Sequence, residues 1–341
     1  MRILVFSDLH IHEWNYGSTL VNGMNSRLLD QAGILKQISK YPDIGALDEI
    51  VFCGDLFHTH GKLSASVLKV AYEGIRKILQ QSTNDMRFTF LVGNHDTALK
   101  DKSTHSLHWL NAFGPRVRVV NQQYHSIDSE CSFLSYTESE DVMKQFFKEA
   151  QRTCFMHQGL SGVPMGSGFL IDERFNLAMI PEHVSHVYTG HYHAHTRVSE
   201  KATIVGTPMQ FTWADEGQDK GFIIIDTVTG EIERVLLDSP RFVTYNMRNA
   251  LREGRHTQET IVGNFVRVIN YDETHKEDIR KEFIDRGSRS VEFISKRVEA
   301  KPMKPLRTDG FHLPTLVKQY ENDQKVTEER SQVGQEIMKG L

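Results

Sequence analysis

Short apolar runs, each closed by glycine or a polar pair, alternate along the chain with stretches of helical spacing. Residues 2–7 read as a strand that delivers Asp8-Leu-His10-Ile-His12. Residues 26–40 place Leu28, Leu29, Ala32, Ile34, Leu35 and Ile38 at helical spacing, and Pro42 closes that helix. The run 50–53, bounded by Gly54-Asp55, reads as a strand buried on both faces. Residues 63–81 form a second helix, and 87–92 a strand that delivers Gly93-Asn94-His95-Asp96. In open α/β sheets chemistry collects just beyond the carboxyl ends of strands. Asp8 and His10 project to one side if the extended form persists past residue 7.

The pattern continues with strands over 116–120 and 131–136, a helix over 138–151, and a strand 153–156 that delivers His157. A glycine-rich loop follows, from Gly159 to Gly168. Strand 184–189 delivers Gly190-His191-Tyr192-His193, and 201–205 leads into Gly206-Thr-Pro208. A hairpin over 221–237 turns at Val228-Thr-Gly230. Composition shifts near Pro240. Strands at 264–270 and 290–298 around a helix at 275–285 make a βαβ unit. The Lys301-Pro-Met-Lys-Pro305 stretch reads as a linker. Leu313, Leu316, Val317 and Tyr320 then give an amphipathic tail helix. The expected architecture is α/β, divided as residues 1–239, 240–300 and 301–341.

Charge refines this only slightly. The 341 residues carry a net charge of −4, yet 240–310 hold 15 Lys/Arg against 11 Asp/Glu, leaving that segment at +4. A basic segment can face phosphates, although a solvated surface of mixed charge reads the same way. Cys53, Cys131 and Cys154 show no paired spacing, and an odd, sparse count suits a reducing compartment. No 18-residue apolar run or signal-type leader occurs, so the expectation is a cytoplasmic protein that spans no membrane.

Five strand ends each deposit metal-type ligands: Asp8/His10, Asp55/His58, Asn94/His95, His157 and His191/His193. One histidine at a strand end is usually a surface or hydrogen-bonded residue; five such ends together are poorly explained by chance. The set suits a two-metal hydrolytic centre, in which two divalent ions clamp the attacking and leaving oxygens of an in-line displacement at phosphorus. One carboxylate must bridge them, and Asp55 on a central strand is the natural bridge. Mixed carboxylate, amide and imidazole donors favour Mn²⁺, Fe or Zn²⁺ over Mg²⁺ or Ca²⁺. His12, His60 and His195, two residues beyond candidate ligands, read as solvent-facing. Trp14, Tyr16 and Trp213 could stack on a splayed base or simply pack at the rim. No P-loop motif occurs, so ATP dependence would need a partner.

Asp8-x-His10, Gly54-Asp55-x-x-His58, Gly93-Asn94-His95-Asp96, His157 and Gly190-His191-x-His193 resemble, in order and spacing, the calcineurin-like metallophosphoesterases. Gly-Asp-Leu-Phe-His58, Gly-Asn-His-Asp96 and Gly206-Thr-Pro are similar to the Mre11/SbcD nuclease branch, and the short length resembles the phage recombination nucleases of that branch. The resemblance covers about residues 1–300. It implies a β-sandwich flanked by helices, a small βαβ DNA-capping domain, and a helical tail that docks on a Rad50/SbcC-type ATPase. It also implies two ions, Mn²⁺ first: one held by Asp8, His10, Asp55 and His193, the other by Asp55, Asn94, His157 and His191. His95 would then act on the scissile phosphate or the leaving oxygen, with His58 orienting it. Asp96 would either orient His95 or cap a following helix. The implied activity is 3′-to-5′ exonuclease on duplex DNA with single-strand endonuclease, in recombination, repair and replication. Pairing of two copies through residues 63–81 is implied as well. A phosphomonoesterase or cyclic phosphodiesterase would use the same dimetal site, and an inactive scaffold would keep the fold alone.

Overall fold

The buried runs pair into two six-stranded sheets. The computed structural model describes residues 1–83, 85–98, 104–163, 173–248 and 261–294. One sheet has the order β14 (Ile232–Leu236), β13 (Gly221–Asp226), β1 (Arg2–Phe6), β4 (Glu49–Phe52), β5 (Arg87–Leu91), β6 (Val117–Val120). Strands β1, β4, β5 and β6 run parallel, while β13 and β14 are antiparallel. The second sheet has the order β11 (Thr196–Ser199), β12 (Ala202–Ile204), β10 (His186–Thr189), β9 (Thr153–Met156), β8 (Cys131–Leu134), β7 (Gln123–Ser126). Its four inner strands are parallel and its two edges antiparallel.

Alternation along the strands sorts side chains into layers. Ile3, Val5, Val51, Cys53 and Leu91 point inward and meet Phe133, Phe155 and Tyr188 of the facing sheet. The opposite set, Leu4, Phe6, Ile50, Phe52, Phe88 and Phe90, packs under the helices α1 (Ser26–Ser39) and α2 (Ala65–Gln81). On the far side α3 (Glu140–Glu149) lays Met143, Phe146 and Phe147 on Cys154, Met156 and Val187. Asn25, Ser64 and Ser139 cap these helices by accepting hydrogen bonds from first-turn amides. The result is the expected β-sandwich between helices.

Downstream, β15 (Phe242–Asn246), β16 (Phe265–Ile269) and β17 (Ser290–Ile294) form a parallel sheet in that order, with α4 (Lys276–Asp285) crossing from β16 to β17. The expected βαβ unit is present, with one more strand than the sequence pattern suggested. Strand β15 begins just after Pro240 and has only two buried positions, so its period is faint. Edge strands β7 and β11 also escaped the pattern, because Gln-Tyr-His-Ser and Thr-Arg-Val-Ser carry little apolar alternation. The chain divides into two units, Met1–Ser295 and Lys296–Leu341. The linker at 301–305 and the tail helix after Leu313 lie outside the described residues. Among the described residues no helix is long and apolar enough to cross a membrane.

The three-stranded sheet is tied to the sandwich through Arg27. Its guanidinium is buried between the rings of Trp14, Phe242 and Phe265, at 5.6, 5.5 and 4.9 Å, and donates to the Phe211 carbonyl at 2.8 Å. Arg289 adds an ion pair to Asp30 of α1.

Helices α1 and α2 touch at Gly74, where an added Cβ would lie 2.3 Å from Leu35 Cδ1 and 2.8 Å from its Cβ. Gly74→Ala improves helix propensity by about 1 kcal/mol, but overpacking costs about 1–3 kcal/mol. The variant should therefore unfold at lower urea than wild type. An unchanged or higher midpoint would show that the two helices can separate freely.

Candidate metal centre

The carboxyl ends of β1, β4, β5, β9 and β10 meet at one edge of the sandwich. They bring Asp8, His10, Asp55, His58, Asn94, His95, His157, His191 and His193 together. The connections between strands are backbone bonds: Asp8 N–H to the Gly54 carbonyl at 2.9 Å, and His10 N–H to the Asp55 carbonyl at 3.0 Å. The expectation that Asp8 and His10 share a face because the strand continues is not met. Asp8, His10, Asp55 and His191 all have positive φ, at 52, 44, 60 and 81°. The chain turns through the left-handed region at these ligands, and that coiling gathers their side chains.

Two glycines make room for the gathering. A Cβ on Gly54 would fall 2.3 Å from His157 Nδ1, and one on Gly93 2.1 Å from Asp55 Oδ1. The Gly-Asp and Gly-Asn-His motifs are therefore close-approach motifs as well as turns.

Three triplets have ligand atoms within 4.8 Å of one another: Asp8, Asp55 and His157; Asp8, His10 and His193; His10, His58 and His95. His157 Nδ1 donates to the Cys53 carbonyl at 2.6 Å, which leaves Nε2 facing Asn94 Oδ1 at 3.0 Å and Asp55 Oδ2 at 3.4 Å. His191 Nδ1 lies 3.1 Å from the same Asn94 oxygen. Burial works against a charged His157, yet Asp55 and then Asp8 outweigh it and raise the group to about 9. Burial would also raise Asp55, but His157 and His10 hold it well below the usual carboxylate range. Asp8, buried and beside Asp55, is pushed up to about 6.

These residues fit a divalent cation. Once Nδ1 is committed to a carbonyl, the neutral His157 ring presents a lone pair at Nε2. That lone pair, a carboxylate and an amide oxygen then converge with no hydrogen to share. Either a second proton on His157 or a cation must sit among them. The buried Nδ1 of His10 also lacks a hydrogen-bond partner.

His95 stands at the rim. Its Nδ1 donates to the His58 carbonyl at 2.7 Å, which leaves the lone pair of the neutral ring on Nε2. Its ring is stacked between those of His58 and His60, at 5.3 and 5.0 Å. His60 is exposed, as the sequence suggested, and from that position its ring also stacks on His95. Trp14 packs tilted against His58 at 4.3 Å, and Tyr136 stacks on His191 at 5.9 Å. Tyr16 and Trp213 pack instead against Phe242, where Arg267 also covers Trp213. His12 lies edge-on to Trp14, and His195 contacts the Val205 carbonyl through Nδ1.

The partners that the described residues give Asp96 are main-chain amides. Its carboxylate accepts from the amides of Gly93, Asp55, Leu56 and Phe57 at 2.9–3.3 Å. It clamps the turn after β4 to the turn after β5, with no contact to the His95 ring. Burial and the nearby Asp55 charge raise it to about 7, against the pull of those amides.

A sequence profile described as calcineurin-like phosphoesterase matches residues 1–195. The chain belongs to this family. Among curated relatives it is similar to the putative phosphoesterase 244L of Invertebrate iridescent virus 6, at 24% identity over 59% of this chain and 74% of that protein. It is also similar to the SbcD component of the SbcCD nuclease of Bacillus subtilis (strain 168), at 22% identity over 72% of this chain and 73% of that one. Among solved structures, the Pseudomonas putida nuclease MPE matches at a TM-score of 0.29 and 13% identity, covering 68% of this chain and 87% of that chain.

Sequence reasoning missed Asp215, whose Oδ1 lies 3.7 Å from His193 Nδ1. No motif spacing marks it, because it comes from a loop after the last strand-end histidines. For Asp96 the expected consequence is mechanical. Asp96→Ala strands four amides and should lower stability by about 3 kcal/mol or more. Asp96→Asn, which keeps one acceptor, should lose less. Denaturant midpoints of both variants check this, and a neutral Asp96→Ala would show that water satisfies these amides equally well.

Proposed function

We propose that the chain is a metal-dependent DNA nuclease, cutting phosphodiesters with two ions, Mn²⁺ foremost. The observation that carries this reading is the convergence of two buried carboxylates, an amide oxygen and imidazoles beside His95, a histidine whose tautomer is fixed by a carbonyl. Asp8, His10, Asp55 and His193 would hold one ion; Asp55, Asn94, His157 and His191 the other. Bound ions supply Lewis-acid activation of water and neutralise charge on the phosphate.

The chain's own residues do the rest. Asp55 sits between the two ligand groups and its Oδ1 also accepts from the His95 amide at 2.9 Å, so bridging carboxylate and catalytic ring move as one. With Nδ1–H held by the His58 carbonyl, His95 would stabilise or protonate the leaving oxygen through Nε2 when that nitrogen also carries a proton. His58 orients His95 twice, through its carbonyl and through its ring.

DNA is favoured over a phosphomonoester by two features. His58 occupies the turn after β4 beside His95, and the likeness to the SbcD protein spans 72% of this chain, more than the 1–195 of the family profile. The three-stranded unit after Pro240 would cap the duplex. Exonuclease polarity 3′ to 5′, single-strand endonuclease activity, an SbcC-type ATPase partner bound by the tail, and a role in recombination and repair complete the proposal. Pairing of two copies would use α2, where Leu68 and Tyr72 are exposed. A cytoplasmic site of action, in a host cell if phage-encoded, goes with it.

The test is Mn²⁺-dependent release of nucleotides from an end-labelled linear duplex, with p-nitrophenyl phosphate in parallel. Wild type should degrade DNA and stop when the metal is chelated. His95→Ala should lose about 100-fold or more of the rate while binding the same amount of metal. Monoester cleavage with intact DNA would assign the site to a phosphatase, and silence on both substrates would mean a missing partner or a scaffold.

A further inference from the structure

Behind His193 lies a buried ion pair that the mechanism above does not use. Asp215 is 1% exposed and Lys220 4%. Lys220 Nζ donates to Asp215 Oδ1, to the Gln218 side chain and to the His193 carbonyl, each at 2.8 Å. The same carbonyl accepts from Thr207 N–H at 3.0 Å, which gives the Gly206-Thr-Pro stretch a task. Asp215 Oδ2 accepts from the amides of Phe211 and Thr212, so the carboxylate cannot swing away. Its Oδ1 is left shared between Lys220 and His193 Nδ1, the latter at 3.7 Å, just beyond hydrogen-bond length.

Burying a carboxylate and an ammonium costs several kcal/mol for each ion before their attraction returns any of it. A turn of ten residues could be closed with neutral side chains. Here both charges converge on one histidine, gripping its ring from one side and its carbonyl from the other.

We propose that Asp215, fixed by Lys220, is the positioning residue for His193. It keeps the hydrogen on Nδ1 and so presents Nε2 to the ion shared with Asp8 and His10. This rests on the two-metal reading of the centre. Asp215 does for His193 what the Cys53 carbonyl does for His157: a partner outside the ligand set selects the tautomer and aims the ring. Asp215 touches neither ion nor substrate.

The experiment is Mn²⁺ titration of metal-free protein, with free Mn²⁺ counted by electron paramagnetic resonance and the melting midpoint followed separately. Wild type should take up two ions. Asp215→Asn should bind one of them about 10- to 100-fold more weakly and keep the other unchanged. Should Asp215→Asn alone not fold, the double variant Asp215→Asn/Lys220→Met removes both buried charges together and should show the same one-ion loss. Unchanged affinity for both ions with a lower melting midpoint would overturn the assignment and leave Asp215 as a brace for the 211–220 turn. Equal weakening of both ions would overturn it too. Wild type binding no ion would sink the two-metal reading first, and this assignment with it.

Discussion

The contact between Asp55 and His157 joins the two halves of the fold. Asp55 ends β4 of one sheet and His157 ends β9 of the other; their side chains meet at 3.4 Å, both nearly inaccessible to solvent. His157 then returns to the first sheet through the Cys53 carbonyl. The sandwich core ends in a polar stitch, and everything reactive is arranged around it. A carboxylate and an imidazole buried this deeply persist only as a pair or with an ion. The same stitch that aligns the sheets therefore needs either a second proton on His157 or a cation beside it.

From that stitch the rest follows in layers. Asp96 holds the turns after β4 and β5 by their amides, so Asp55 and Asn94 are set by backbone rather than by side-chain rotamers. His95 inherits its orientation from Asp55 through its amide and from His58 through its ring nitrogen. Trp14 supports His58 from outside, and Arg27 lies between Trp14 and the aromatic rings of the downstream sheet. A continuous packed path thus runs from the βαβ unit to the rim of the candidate metal centre.

Which residues meet was legible in the sequence; how they meet was not. Buried strands such as 50–53 and 153–156 announce themselves by short apolar runs, and a ligand just past such a run is visible because the run stops there. The left-handed turns at Asp8 and His10 leave no such mark, since nothing in the residue type requires them. Asp96 was visible as a residue, but its partners were not, because they are backbone amides brought from another strand. Asp215 was invisible: its partnership with His193 depends on a loop closure that no spacing encodes. Strands β7, β11 and β15 went unread for the related reason that edge strands bury too little to keep a clear period.

The left-handed backbone at Asp8, His10, Asp55 and His191 has an evolutionary consequence. Each non-glycine residue held there is strained by about 1 kcal/mol or more, so the site stores conformational energy that its ligands prevent from relaxing. Glycine would relieve that strain at each position, yet at Asp55 it would leave the buried His157 without its partner, so the strain cannot be removed without undoing the contact that joins the sheets. The conformational cost and the ligand set are therefore inherited together.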